Sequence, residues 1–298
     1  MEVRVGKCWL CGTECELTKE HIPPKSAYNE HPRLLRKVDE HALENGWVNW
    51  NSGEVYERGI YRRSLCARCN NNYGSIYGEA YVNFVRKVAD RIGDVREFHT
   101  ITIGGVKQPL RILKQVILNF VTSNGAEWVR ASNWVAPFLL NPKNMTLPHH
   151  VGVYLYATNT YGGRSTGITA HIDLESGTHN TISEFSYWPL GTVISLDGEP
   201  FDRSLKPIQH WVQYSFDHED SITVDLTVNP TATANPVDFR NQSQVQSDSL
   251  RSHASYKKPS DEEARAIFDK AITHSGTDGA DFRVMGHPST FRDEPAKG

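Results

Sequence analysis

From Tyr73 the chain places Ile76, Tyr77, Ala80, Tyr81, Phe84, Val85 and Val88 at spacings of three and four, the period of an amphipathic helix. Gly74 and Gly78 weaken that helix without ending it. Phe98 to Ile103 alternates as a strand does, Gly104-Gly105 reads as a turn, and Pro109 suits the first position of a second helix. Leu110, Leu113, Val116, Ile117, Phe120 and Val121 form its apolar face, and Asn124-Gly125 should stop it. From His150 the period changes to two. Val151–Ala157, Thr166–Ile172, Gly191–Leu196, His210–Phe216 and Ile222–Val228 read as antiparallel strands separated by Gly, Asn and Asp clusters. Residues 240–260 are rich in Gln, Ser, Asp and Lys, as a linker is. Ser260-Asp261-Glu262-Glu263 then resembles a capping box for a short helix, and the chain after Gly276 lacks periodicity and is expected to be a mobile tail.

The pattern predicts an α+β protein in three parts. Residues 1–91 form a small head, 92–240 a larger, mainly antiparallel-sheet domain with one or two packed helices, and 241–298 a polar linker, short helix and tail. At 298 residues and 38% hydrophobic composition, the chain can bury one sizeable core or two smaller ones. Eighteen consecutive apolar residues occur nowhere, and no apolar run opens the chain, so a soluble cytoplasmic protein is expected, neither secreted nor membrane-spanning. A net charge of −3 lacks the basic excess of a protein that coats nucleic acid. Any such contact must be local, and residues 1–91 do carry 14 basic against 12 acidic side chains.

The five cysteines lie in the first 69 residues. Cys8-x-x-Cys11 and Cys66-x-x-Cys69 are two knuckles of equal spacing, the arrangement that supplies a tetrahedral zinc with four thiolates. Cys15 is the spare, with replacement of Cys11 by Cys15 as the alternative. Four thiolates leave no open position, so such a zinc holds structure and chemistry must come from other residues.

Between the knuckles runs Leu17-Thr18-Lys19-Glu20-His21-Ile22-Pro23-Pro24-Lys25-Ser26, and Asn70 directly follows the last cysteine. Over residues 8 to about 85 this combination resembles the zinc-containing HNH endonuclease family. The resemblance implies a ββα-metal head in which Glu20 and Asn70 bind a catalytic Mg²⁺ or Mn²⁺ and His21 is the general base toward water. It also implies a metal-dependent hydrolase cutting phosphodiester bonds of nucleic acid, DNA in the first instance. Long-tailed members of the family act in restriction, mobile elements or anti-phage defence. Lys25, Arg62, Arg63 and Arg68 lie near the motifs and would grip phosphates.

Three positions depart from the family pattern. Ile60 to Leu65 lacks the usual Asn, the third motif position is Tyr73, and the acidic residue is Glu. They support an alternative, a non-catalytic zinc-stapled nucleic-acid-binding or sensor/assembly protein. Residues 92–240 are where a homo-oligomer contact or a regulatory partner would be expected. His149-His150, His171 and His179 read as ordinary polar residues, Asp217-His218-Glu219-Asp220 as a solvated turn, and Phe185, Tyr187 and Trp188 as core or strand-pairing residues.

Overall fold

The computed structural model describes residues 4–31, 33–35, 54–93, 99–159, 164–165, 167–172, 179–197 and 204–229. The linker, capping-box helix and tail predicted after residue 240 lie outside this set. Among the described residues the protein is α+β, with three sheets and four α-helices of six residues or more.

In the first part, β1 (Val5–Lys7), β2 (Glu14–His21) and β5 (Tyr61–Cys66) form an antiparallel sheet in the order β1-β2-β5. Between β2 and β5 the chain adds a small pair, β3 (Arg33–Leu35) with β4 (Glu54–Tyr56). Beyond β5, one α-turn (Ala67–Cys69) and a π-helical turn (Asn70–Gly74) lead into α1 (Ser75–Ile92). The predicted apolar face of α1 is the buried one: Tyr77, Ala80, Tyr81, Phe84, Val85 and Val88 all point inward.

The large sheet runs β6 (Thr100–Val106), β13 (Ile222–Asn229), β7 (Gly152–Thr158), β11 (Leu190–Ser195), β10 (His179–Tyr187) and β8 (Arg164–Ser165). Two strands lie off this path: β9 (Thr169–Ile172) pairs with β10, and β12 (Lys206–Pro207) with β7. All pairings are antiparallel except β13 with β7, which is parallel. Helix α2 (Pro109–Asn124) begins as expected with Pro109 after a left-handed Gln108. Two short helices follow, α3 (Ala126–Ala131) and α4 (Val135–Leu140). Every residue of α2 from Ile112 to Ser123 is buried, because α1, α4 and β10 surround it. A helix so placed takes Lys114, Gln115 and Asn119 inside along with its leucines.

Two expectations are corrected. Gly104-Gly105 makes no turn: β6 runs through it to Val106, and the glycines form a bulge in which three steps on β6 oppose two on β13. Gly105 adopts φ +66°, the left-handed conformation such a bulge favours. The His210–Phe216 strand is instead a 3-10 helix over Gln209–Gln213. Backbone bonds from Trp211 to Ile208 and from Tyr214 to Trp211 close it, and Trp211 is buried edge-on to Phe84.

One apolar cluster extends from Cys8 and Leu10 through α1 and α2 to Val228, so the core continues across the predicted boundary at residue 91. No helix among the described residues is long and apolar enough to cross a membrane.

Candidate active site

The first knuckle occupies the β1–β2 connection. Cys8 N–H donates to Thr13 O and Gly12 N–H to Cys8 O, each at 2.8 Å, and Gly12 takes φ +73° to close the loop. The second knuckle sits where β5 becomes helix, with Cys69 N–H donating to Cys66 Sγ at 3.3 Å. A bulge joins them. Thr18 pairs with Leu65 but Lys19 pairs with Arg63, which leaves Ser64 as an extra residue whose carbonyl accepts from Trp9 N–H at 2.9 Å. The sheet irregularity thus bonds one knuckle to the other.

The four sulfurs of Cys8, Cys11, Cys66 and Cys69 all lie within 4.8 Å of one another, with Cys11 and Cys66 at 3.8 Å. Bonds of about 2.3 Å to a tetrahedral ion place sulfurs about 3.8 Å apart, so the group fits a metal ion such as zinc. Crowding also divides their acidity. A hydrogen bond from Cys69 holds the Cys8 thiol well below the usual range, while the same bond, with burial, pushes Cys69 up. Cys15 stands outside the cluster with its sulfur on Thr13 O, so it is Cys11 that completes the tetrad.

Glu20 and His21 end β2. Glu20 turns inward and is 6% exposed. Among the described residues its carboxylate accepts no hydrogen bond and forms no ion pair, although Arg62 lies opposite on β5, and burial pushes its pKa up to about 8. A buried carboxylate with no partner is costly unless a cation joins it. Asn70 opens the π-helical turn, and its amide nitrogen donates to Thr18 Oγ1 and to Lys19 O, both at 3.0 Å. Both amide hydrogens are thereby spent on β2 and the oxygen is turned the other way. That oxygen and one oxygen of Glu20 both border Gly74. A Cβ added to Gly74 would lie 3.1 Å from Asn70 Oδ1 and 3.9 Å from Glu20 Oε2. The glycine therefore leaves a notch lined by one carboxylate and one amide oxygen, a donor set suited to a hard divalent cation.

No family model, curated protein or solved structure matches this chain.

His21, next along β2, places its ring 5.7 Å from that of Tyr61, and its Nε2 is 3.1 Å from Arg58 O. A carbonyl can only accept, so Nε2 carries the proton and Nδ1 keeps its lone pair. Burial lowers its pKa below the ordinary 6.5, the Arg58 carbonyl opposes the shift, and Lys25 and Lys19 add to it. The imidazole is neutral at neutral pH. Of the predicted phosphate-gripping side chains, Lys25 and Arg68 are exposed and Arg62 is half-buried, while Arg63 is committed to Leu17 O at 2.9 Å.

Tyr73, at the third motif position, is turned away from the notch, its hydroxyl 2.9 Å from Leu140 O. Sequence reasoning missed the groups that hold this site. Asn29 is buried and donates to Pro23 O and Ile60 O at 2.8 and 2.9 Å while accepting from Ile60 N–H at 2.8 Å. It thereby ties the loop after His21 to the turn between β4 and β5 whose Arg58 carbonyl holds the imidazole. Gly59 has φ +83° and would set any Cβ 1.8 Å from Asn29 O. A lone Asn in a polar loop carries no signal of this kind, whereas Gly74 was visible only as a helix weakener.

Elsewhere the Asp217–Asp220 turn is tied down: Asp217 pairs with Arg111 and Glu219 with Lys107 and Gln108. Phe185, Tyr187 and Trp188 are buried in the core. His149 and His150 are exposed and meet edge to face, and His171 and His179 fall on the paired strands β9 and β10.

Proposed function

We propose that this protein is an HNH-type, metal-dependent endonuclease that hydrolyses phosphodiester bonds of nucleic acid, with DNA as the first substrate to test. The observation that carries the reading is the partnerless buried carboxylate of Glu20, facing the same notch as the oxygen of Asn70, with His21 next to it in sequence and a four-thiol cluster framing both. A zinc in the four-thiol cluster would hold the two pieces of the head together. Mg²⁺ or Mn²⁺ held by Glu20 and Asn70 would supply stabilisation of charge on the departing oxygen.

The rest falls to the protein. His21 Nδ1 accepts a proton from water, its oxygen forms the new bond to phosphorus, and the bond to the departing sugar oxygen breaks as solvent protonates that oxygen. The Arg58 carbonyl fixes the ring, burial, with a smaller contribution from Lys25 and Lys19, favours the unprotonated imidazole, and Lys19, Lys25, Arg62 and Arg68 offer cations to flanking phosphates.

The test is incubation of plasmid DNA, and separately RNA, with and without Mg²⁺ or Mn²⁺, beside His21→Ala. Cation-dependent cleavage is expected, with His21→Ala slower by about 10²- to 10⁴-fold and its melting temperature close to that of the wild type. Equal cleavage in both proteins, or in excess chelator, refutes the assignment. The bonding of Tyr73 to Leu140 favours a second reading, a zinc-stapled nucleic-acid-binding module, because it removes the third motif position from the notch. That reading predicts binding of the same substrates without cleavage under any cation.

A further inference from the structure

An α-helix ends with carbonyls that have no partner inside it, and a glycine cap or water usually takes them. Helix α4 ends differently. Asn141, which follows it, is extended at φ −109°, and the carbonyls at the end are taken one by one by side chains from elsewhere. Lys114 of α2 donates to Phe138 O and, at 3.1 Å, to Asn141 O. Tyr77 of α1 donates to Leu139 O at 2.7 Å, and Tyr73 to Leu140 O at 2.9 Å. Lys114 is fully buried and stands 3.8 Å above the Phe138 ring, so moving α4 would strand an amine as well as four carbonyls.

Of these donors only Tyr73 belongs to the π-helical turn that carries Asn70. Such turns are rare and occur mostly as single turns within longer helices. This one is held at both ends: Asn70 is bonded to Thr18 and Lys19 on β2, and Tyr73 to α4. The Tyr73 ring is 9% exposed and stacks on Tyr77, with centroids 5.8 Å apart.

We propose that Tyr73 is a positioning residue that, pinned to the end of α4, holds the π-helical turn in the place from which Asn70, aimed by its bonds to β2, reaches the Glu20–Asn70 notch, and so tunes cation binding there. This rests on the reading of that notch as a divalent-cation site. It gives α4 a role: whatever shifts α4 shifts Asn70.

The experiment titrates the zinc-loaded full chain with Mn²⁺ and follows the free ion by its paramagnetic resonance. Tyr73→Phe keeps the ring stack and removes the hydroxyl, and should weaken Mn²⁺ binding roughly three- to tenfold, the weight of one hydrogen bond. Tyr77→Phe loses an equivalent bond to α4 from outside the π-turn and should stay within about twofold of wild type, since its hydroxyl does not hold Asn70. In an Asn70→Ala background Tyr73→Phe should have no further effect. Should Tyr73→Phe lose its zinc, Tyr73→Trp takes its place, keeping an aromatic ring while aiming its N–H elsewhere. An unchanged affinity in the Tyr73 variant, equal losses at Tyr73 and Tyr77, or an undiminished effect without Asn70 would each overturn the proposal. Glu20→Gln separates it from the reading beneath: binding as tight as wild type would remove the cation site itself, and the positioning role with it.

Discussion

Strands β7 and β11 are buried at every residue, and their polar members are satisfied in place, as where Thr192 donates to Phe185 O at 2.9 Å. Strand β2 has only Leu17 and Glu20 buried, one of them an unpartnered carboxylate, and the sheet it belongs to runs into four thiols. The sheet region is stabilised by apolar area and by hydrogen bonds already made. The head instead carries four clustered thiols that could hold a metal ion and a buried carboxylate that bonds no other described residue. Its stability should therefore depend on ligands, whereas that of the sheet should not.

The sharpest way to break this contrast is to remove the thiolate site. Cys69→Ser, or prolonged chelation, should unfold the head, since binding of a structural zinc contributes on the order of 10 kcal/mol to folding. Hydrogen exchange should then show protection lost in β1, β2 and β5 but kept in β7 and β11. Because the apolar cluster crosses residue 91, the opposite outcome is informative too. Simultaneous loss in all five strands would mean that the two regions fold as one unit.

A smaller effect tests the carboxylate. The pKa of Glu20 is raised from 4.5 to about 8 in the fold, so the unfolded chain releases this proton first. Its contribution to stability is full below about pH 4.5 and is lost as pH rises toward 8. Without added Mg²⁺ or Mn²⁺, wild-type protein should lose stability across that window more steeply than Glu20→Gln, as read by denaturant melts at a series of pH values. Added Mn²⁺ should flatten the wild-type slope and leave the variant unchanged. Parallel slopes without cation would show that the carboxylate is hydrated after all.

The smallest effect concerns Cys15. Its sulfur lies outside the tetrad on a carbonyl, so Cys15→Ala should retain one zinc per chain, with a stability change within about 0.5 kcal/mol. Loss of zinc in Cys15→Ala would reassign the fourth ligand.

These contrasts also mark what the sequence could and could not reveal. Helices α1 and α2 were readable because each presents an apolar stripe, and β7, β11 and β13 because buried residues follow a period of two or an unbroken run. β10 was readable only at its aromatic end. Its residues alternate Ser183, Phe185 and Tyr187 on the α2 side with Ile182, Glu184 and Ser186 on the other, so buried polar residues, among them Ser183 bonded to Asn124 and Glu184 to Tyr156, erased the pattern. Helices α3 and α4, at six residues each, are too short to show a period. At the site, equal knuckle spacing pointed to the tetrad, whereas Glu20 and Asn70 could be named together only as what a resemblance implies, no periodicity or spacing linking them. Asn29, Gly59 and Arg58 were invisible, because their work is done by backbone groups or by bonds to backbone.

Asn70 bears on the choice of amino acid itself. An aspartate there would offer a cation a full negative charge, yet it could donate to neither Thr18 Oγ1 nor Lys19 O, and those bonds aim the side chain. A glutamine would keep the chemistry and overshoot by one methylene. The position calls for a side chain that gives with one hand and receives with the other at a reach of two carbons, and asparagine alone among the twenty meets that description.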